Sequence, residues 1–307
     1  HQVGGALPQA TAVVNPNRQD DLSGLGHLCA CGVAFVTLVG LARELRRRGF
    51  FRVRTEPDLL ALLDLVALGT VADVVPLLGL NRAFVVKGLQ VARKRRNPGL
   101  AALSAVARLS GPMSPYHLGF LIGPRINAGG RIGDAGLGSR LLATDDPVEA
   151  ERIAADLDRL NKERQVMEAA MVEEADAQIV ARYGTDPGPI VVASSAEWHP
   201  GVVGLIAARL KERWNRPALA VAFDRGPLGT GSARSVAGVD LGAAVRAAVE
   251  AGLAPKGGGH KMAAGLTVEE SRLDEVRAFL AERLAATVAT ATERHDLEVD
   301  GAMTAGA

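Results

Sequence analysis

The sequence has little cysteine and few aromatic residues, and both shortages exclude classes of protein. Its 307 residues include two cysteines, and aromatic residues make up only 4%. Cys29 and Cys31 are too close together to suggest a structural disulfide, and they lack the repeated spacing of a zinc site. We therefore interpret them as small core residues, which excludes a disulfide-stapled secreted scaffold and indicates a reducing, cytoplasmic setting.

Net charge and long apolar runs are also missing. Lysine and arginine total 35 against 34 aspartate and glutamate, so the whole-chain charge gives no argument for nucleic-acid binding. No apolar run reaches the roughly 18 residues that a transmembrane helix needs. Hydrophobic residues nevertheless make up 48% of the chain, which is typical of an α/β protein with packed cores and, at this length, two domains.

Helical periodicity dominates the first half and ends in one long predicted helix. Asp146 suits the N-cap, Pro147 suits the first turn, and the pattern continues without glycine or proline to about Val180. A helix of this length, polar over most of its surface, can connect two domains. Shorter helices are predicted at 24–49, 56–68, 81–94 and 98–109.

The stretch 123–131 contains three glycines and a proline, so we predict a loop rather than a regular element. Arg125, Asn127 and Arg131 on such a loop would surround an anion. An ordinary surface loop with solvated arginines explains these residues equally well, and the spacing leaves both interpretations open.

Strands and helices alternate in the second half, which predicts a second α/β domain. From about residue 287 the sequence becomes low in complexity, and 297–301 would begin a further element. Strands are predicted at 190–193, 218–223, 229–235 and 262–268, and helices at 202–213, 240–250 and 270–286.

Three polar motifs interrupt this second domain. Trp198 and His199 lie at a strand-to-helix junction that would bind a nucleotide, although a packed tryptophan beside a capping histidine is the simpler alternative. Ser232 and Arg234 alternate on a strand, so both point to one face and form a plausible but weakly indicated phosphate clamp. The run 256–265 holds three consecutive glycines and a histidine, which suggests a backbone packed closely against another group, often phosphate.

Asp73 is the most informative polar residue because the run 65–77 around it is almost entirely apolar and indicates burial. A lone buried carboxylate costs several kcal/mol unless a metal ion, a fixed cation or backbone N–H groups compensate it. Residue type alone favours a helix cap, formed by Thr70 or Asp73, over a metal ligand.

Five segments, in the right order along the chain, resemble the RecJ family of DHH phosphoesterases: 7–17, 63–77, 123–131, 197–204 and 256–265. The resemblance implies an α/β fold in which the C-terminal part of a DHH catalytic domain is joined by a long helix to a smaller α/β DHH-associated domain. It assigns 1–144 to the catalytic part, 145–184 to the connecting helix, 185–288 to the substrate-binding DHH-associated domain and 289–307 to a tail before an oligonucleotide-binding domain.

The resemblance also implies an activity, namely metal-dependent 5′-to-3′ exonuclease action on single-stranded DNA in repair and recombination. Two Mn²⁺ or Mg²⁺ ions would activate water against a phosphodiester. The implied partners are single-stranded DNA and other repair proteins, with no membrane. Carried over by residue, Asp73 is a metal ligand, and His1 and His260 are further catalytic residues. The implied contacts to phosphate and nucleic acid are Arg125, Asn127, Arg131, His199, Ser232, Arg234, Gly258, Gly259 and His260.

On this alignment His1 is the second histidine of the family signature, so the chain would be a piece of a longer protein. We therefore expect it to fold without cleaving DNA, because Asp73 and His1 alone cannot hold two cations against water. Two alternatives stay open. One is an oligoribonuclease or cyclic-dinucleotide phosphodiesterase of the same superfamily, and the other is a chain that only binds single-stranded nucleic acid.

Overall fold

The structure is a computed structural model that describes residues 7–224, 226–292 and 301. The chain divides into two compact units, residues 1–162 and 163–307. Helices build the described part of the first unit, whereas the second contains a five-stranded sheet. The predicted α/β class is therefore confirmed.

The first unit is a set of short helices around an apolar core. Its helices are α1 (Ala30–Arg47), α2 (Leu63–Ala72), α3 (Gly79–Ala92), α4 (Pro98–Val106), α5 (Gly123–Ile132) and α6 (Leu137–Ala143), with 3₁₀ turns at Phe50–Arg52 and Leu59–Leu62 and a π-helical segment at His117–Ile122. Leu103 and Ile122 are completely buried at its centre. Phe35 on α1 and Phe84 on α3 pack edge to face, with ring centroids 5.5 Å apart.

The loop predicted at 123–131 is wrong, because α5 covers this stretch. Pro124 occupies the first turn, where its missing N–H costs no hydrogen bond. A Cβ at buried Gly129 would lie 3.0 Å from both the Asp134 carbonyl oxygen and a Leu157 methyl carbon. The glycine therefore permits close packing rather than a chain reversal.

The long helix α7 (Pro147–Tyr183) runs from the first unit into the second. Asp146 Oδ1 accepts the N–H of Val148 at 2.9 Å, so the predicted helix start is confirmed. None of the helices in the described part of the chain is both long and apolar enough to cross a bilayer.

The second unit is a mixed sheet with helices packed against it. Its elements are β1 (Val191–Ser195), α8 (Val203–Trp214), β2 (Ala218–Ala222), β3 (Leu228–Arg234), α9 (Leu241–Glu250), β4 (Lys256–His260), β5 (Ala263–Glu269) and α10 (Leu273–Thr292). The strand order is β1-β2-β3-β5-β4, in which β1 and β2 pair in parallel and the other pairs are antiparallel. Leu219, Val221 and Leu266 lie in its core.

Two elements differ from the sequence prediction in ways that matter for the site. The helix predicted at 56–68 instead begins at Leu63 and runs to Ala72, directly before Asp73. The sequence predicts no strand over 256–260, because glycine is unfavourable inside strands. Pairing with β5 along its whole length overrides that local preference and makes the segment an edge strand, β4.

Gly88 on α3 allows α2 to approach closely. A Cβ at this position would lie 2.1 Å from the Leu63 carbonyl oxygen and 2.5 Å from the Ala67 Cβ. We predict that Gly88→Ala lowers the free energy of unfolding by about 1–3 kcal/mol, because the two helices must move apart. Urea unfolding followed by far-UV circular dichroism measures this change.

The matched control is Gly40→Ala on α1, where an added Cβ would meet no atom within 4 Å. This variant should be more stable by about 0.5–1 kcal/mol, since alanine favours a helix over glycine. Equal effects of the two substitutions would contradict the close approach at Gly88.

Candidate functional site

Ser232 and Arg234 point to one face of the sheet, as their spacing predicts. The register places this pair opposite Ala263–Gly265 on β5, and that segment opposite Gly258–His260 on β4. Residues directly opposite in a ladder share a face. His260 therefore lies on the same face as Arg234, two strands and about 10 Å away.

Gly258 and Gly265 lie opposite each other on this same face, in the row next to these two basic side chains, and we call the surface that they form the glycine shelf. A Cβ at Gly258 would meet nothing within 4 Å, and a Cβ at Gly265 would meet its nearest atom at 3.7 Å. The other sheet face is covered there by α9, since a Cβ at Gly257 would lie 2.9 Å from Val245. The shelf thus exposes backbone to which a ligand can approach closely.

Arg234 is a partly buried cation beside this shelf. Its Nη1 donates to Ser232 Oγ at 3.0 Å and to the Ala233 carbonyl oxygen at 2.9 Å. Burial lowers the pKa of the Arg234 guanidinium, and no carboxylate among the described residues pairs with it. A Cβ at Gly204, in the first turn of α8, would lie 3.0 Å from Arg234 Nη2 and 3.1 Å from Ser232 Oγ. A guanidinium, a hydroxyl and a helix N-terminus therefore converge, which favours an anion.

The segment before α8 is fixed by its tryptophan. Trp198 is 1% exposed and its Nε1 donates to Glu174 Oε2 at 2.8 Å, so the ring is packed and not available for a nucleotide. His199 Nδ1 accepts the N–H of Gly201 at 3.0 Å. That bond leaves Nε2 of the partly buried His199 ring as the nitrogen for another partner.

The end of β4 needs glycine and is held by an arginine that sequence reasoning missed. A Cβ at Gly259 would lie 2.3 Å from the Ala263 carbonyl oxygen. Arg246 Nη1 on α9 donates to the Gly259 carbonyl oxygen at 2.8 Å. His260 is exposed, and its Nδ1 accepts the N–H of Met262 at 3.3 Å. The signal for Arg246 in the sequence was only a basic residue within an otherwise apolar helix.

Asp73 is exposed, so the burial predicted from the apolar run is wrong. The residue follows the last turn of α2, and its N–H donates to the Gly69 carbonyl oxygen at 3.0 Å. The helix ends here and the chain turns towards solvent, leaving Val74 87% exposed. Thr70 and Asp73 do not cap the start of a helix either: the Thr70 hydroxyl donates to the Val66 carbonyl oxygen at 2.6 Å inside α2.

Val74, next to Asp73, has a strained backbone. Its φ is +55°, a left-handed conformation that is rare for a β-branched residue. Such a conformation costs about 1–2 kcal/mol relative to the right-handed one. Strain of this kind concentrates at functional sites, which makes the end of α2 a candidate site independently of the family resemblance.

The described residues do not complete a metal centre around Asp73. Within 7–224, 226–292 and 301, no group of three or more His, Cys, Asp or Glu side chains could hold a metal ion. His1, which the resemblance also places near the metals, lies outside the described residues. Asp73 thus offers a single carboxylate, and this donor set does not by itself fit two ions.

The three polar residues predicted on 123–131 separate on α5. Arg125 Nε donates to Asp158 Oδ1 at 2.9 Å, and Lys162 Nζ lies 2.7 Å from the other oxygen of that carboxylate. Burial raises the pKa of the Asp158 carboxyl, but these two cations outweigh it and hold the pKa below its usual value. Asn127 and Arg131, four residues apart, lie on one side of the helix, and Asn127 is exposed. Arg125 is therefore engaged in an internal ion pair.

Known proteins share both the sequence and the fold. Residues 188–286 match the DHHA1 domain. The single-stranded-DNA-specific exonuclease RecJ of Dickeya dadantii is 42% identical over 290 residues, which cover 92% of this chain and 50% of that protein. A crystal structure of exonuclease RecJ bound to manganese has a TM-score of 0.73 and 34% identity, covering 94% of this chain and 69% of that one. A RecJ structure with Mg²⁺ from Thermus thermophilus has a TM-score of 0.70 and 35% identity over 88% of this chain and 39% of that one.

The DHHA1 match, together with the RecJ relatives and structures, defines the class: DHH-type phosphoesterases with a DHH-associated domain. Within that class, the chain belongs to the RecJ family. It spans about half the length of the RecJ proteins from Dickeya dadantii and Salmonella typhimurium that it matches, 50% and 54% respectively.

The strain at Val74 predicts which of two substitutions at this position gives the more stable protein. Val74→Gly should be more stable than Val74→Ala by about 1 kcal/mol, because alanine keeps the left-handed penalty and glycine does not. At Val39, in the regular helix α1, the order should reverse, with the alanine variant more stable by about 1 kcal/mol. The free energies of unfolding of all four variants test this, and the same sign at both positions would argue against strain.

Proposed function

We propose that the protein acts as a 5′-to-3′ exonuclease that hydrolyses phosphodiesters of single-stranded DNA in repair and recombination. One observation carries this proposal: Arg234 and Ser232 converge with the first turn of α8 beside the glycine shelf, and no described carboxylate neutralises the guanidinium. The relatives are single-stranded-DNA-specific exonucleases, which supports the choice of substrate.

In this proposal the anion at Arg234 is the 5′-phosphate of the strand. The guanidinium fork and the Ser232 hydroxyl bind its oxygens, and the helix N-terminus adds a favourable dipole. Gly258 lets the sugar–phosphate backbone approach the sheet, and Gly259, where only glycine fits beside Ala263, shapes the end of β4 next to it. His260, on the same face, binds a phosphate near the reacting bond. His199, which precedes α8, offers its Nε2 to the nucleic acid.

We also propose that Asp73 is one ligand of a Mn²⁺ or Mg²⁺ site, with His1 as a further catalytic residue. An exposed carboxylate is a suitable hard oxygen donor for either ion. Crystal structures of Thermus thermophilus RecJ contain Mn²⁺ or Mg²⁺, which supports the choice of ions. When bound, these ions would activate water and stabilise developing charge. Asn127 and Arg131 are proposed contacts to the nucleic acid, and Arg125 would position α5 through its ion pair.

The assignment of 1–144, 145–184, 185–288 and 289–307 to four functional parts is likewise a proposal. Two free thiols support a cytoplasmic setting, and other repair proteins are proposed partners on family grounds alone.

No described feature favours an oligoribonuclease or a cyclic-dinucleotide phosphodiesterase. For the 307-residue chain itself we propose binding without cleavage, because the described residues form no group of three metal-binding side chains that includes Asp73. Incubating this chain, beside the product of its natural reading frame, with Mn²⁺ and a labelled single strand separates binding from cleavage.

Asp73→Asn should abolish metal-dependent cleavage by the protein encoded in that reading frame. Loss of a direct ligand should lower the rate about a hundredfold or more, since a metal ion contributes several kcal/mol to the barrier. Stability should change by less than about 0.5 kcal/mol because the side chain is exposed. Electron paramagnetic resonance of Mn²⁺ should show weaker binding as well. Asp145→Asn, at another exposed aspartate, is the control, and normal turnover of the Asp73 variant would contradict the ligand role.

Arg234→Ala should weaken the preference of the chain for a 5′-phosphorylated over a 5′-hydroxyl strand. A charge-assisted hydrogen bond is worth about 1.5–3 kcal/mol, so the preference should fall about ten- to a hundredfold. Fluorescence anisotropy with both oligonucleotides measures it. Arg209→Ala removes the same charge from an arginine already paired with Glu168 and Glu212, and it should leave the ratio unchanged. An unaltered ratio in the Arg234 variant would place the phosphate site elsewhere.

A further inference from the structure

Cys29 and Cys31 are in contact, which their interpretation as core residues does not explain. Their Sγ atoms lie 3.2 Å apart. Residues two apart in a continuous helix point to different sides. The sulfurs meet because Cys29 has the extended conformation of an N-cap, with φ −69° and ψ 165°, whereas Cys31 is inside α1.

Both sulfurs are directed at α2. Cys29 Sγ lies 3.4 Å from Thr70 Oγ1, and Cys31 Sγ lies 3.6 Å from the Val66 carbonyl oxygen. A Cβ at Gly69 would lie 2.3 Å from Cys31 Sγ, so the sulfur occupies the space that this glycine leaves. With Cys31 in its present place, position 69 can therefore hold only glycine. The same close packing leaves α2 little room to move.

The surroundings of the pair favour reaction at one sulfur. Hydrogen bonding with Cys31, with Thr70 and with the Gly32 N–H holds the pKa of the Cys29 thiol below its usual value, although burial opposes it. The pKa of Cys31 is raised, chiefly because it shares its proton with Cys29. Cys29 is 3% exposed, but Cys31 is only partly buried and Ala30 between them is exposed. A small oxidant can therefore reach the pair from the side of Cys31.

We propose that Cys29 and Cys31 form a reversible redox site, in which hydrogen peroxide closes an intramolecular disulfide. The Cys29 thiol releases its proton, the thiolate attacks one peroxide oxygen and the O–O bond breaks, which leaves a sulfenic acid and a hydroxide that takes up the released proton to form water. The Cys31 sulfur then attacks the sulfenic sulfur, the S–S bond forms, and a second water leaves with the Cys31 proton. Two thiols are oxidised by two electrons, and one peroxide is reduced to two waters.

The disulfide would act on the end of α2. Closing the bond shortens the sulfur–sulfur distance from 3.2 Å to about 2.05 Å. Both sulfurs then lose their hydrogens and their present contacts with Thr70 and Val66. Gly69, against which Cys31 packs, accepts the backbone N–H of Asp73 at 3.0 Å. Oxidation therefore disturbs the turn that positions Asp73. Disulfide formation itself does not depend on the proposed function, whereas its consequence for catalysis rests on that function.

The test counts thiols in the 307-residue chain, which contains only these two cysteines. The chain is treated with hydrogen peroxide, denatured, alkylated with N-ethylmaleimide and weighed intact. We expect no alkyl groups and a loss of two hydrogens after peroxide, and two alkyl groups after later reduction with dithiothreitol. Two alkyl groups directly after peroxide, a covalent dimer, or oxygen addition without loss of hydrogen would each overturn the proposal.

Two comparisons make the test specific to the folded geometry. In urea, the unfolded chain should form the disulfide at least about tenfold more slowly, because the extended N-cap no longer holds the sulfurs together. An equal rate would overturn the proposal. The Cys31→Ser variant should instead trap a sulfenic acid that dimedone labels. Hydrogen exchange over 66–74 should accelerate on oxidation in the wild type and not in Cys31→Ser. Unchanged exchange in both would refute the coupling to Asp73. None of these readouts depends on nuclease activity.

Discussion

The pairing of β3 with β5, and of β5 with β4, is the interaction on which the candidate phosphate site depends. It aligns Ser232 and Arg234 on one strand with Gly258–His260 two strands away. Side chains alternate between faces, so a slip of one residue would turn Arg234 towards the opposite face. The glycines of β4 weaken the strand locally, yet they are what leaves the shelf open. Long-range pairing thus stabilises a segment whose own sequence disfavours a strand.

The charges of the second unit show how this site differs from the rest of the surface. Arg209, Arg213 and Arg277 each pair with a carboxylate. Arg234 is partly buried and contacts only neutral oxygens among the described atoms. Burying a cation without a counter-ion is unfavourable, and an anion that binds there recovers part of that cost. For the proposed phosphate site, a cation without a counter-ion therefore lowers stability and raises the affinity for an anion.

The sequence predicted most helices and strands because their apolar residues repeat with the period of the element. It also predicted the shared face of Ser232 and Arg234, which follows from alternation alone. It could not predict β4 or α5, because glycine was interpreted as a local signal whereas its role at Gly129 and Gly257 is close tertiary packing. Arg246 was missed for a related reason: its acceptor, the Gly259 carbonyl oxygen, is distant in sequence.

Asp73 shows the limit of composition as a guide to burial. The apolar residues before it are indeed buried, as at Val66 and Ala67, but the run continues past the helix end into exposed backbone. A hydropathy pattern carries no information about where a helix stops. The left-handed Val74 marks that stop. Cys31 on α1 packs against Gly69, and the Gly69 carbonyl oxygen accepts the N–H of Asp73. The exposed carboxylate of Asp73 is thus attached to a helix turn that packs against the interior.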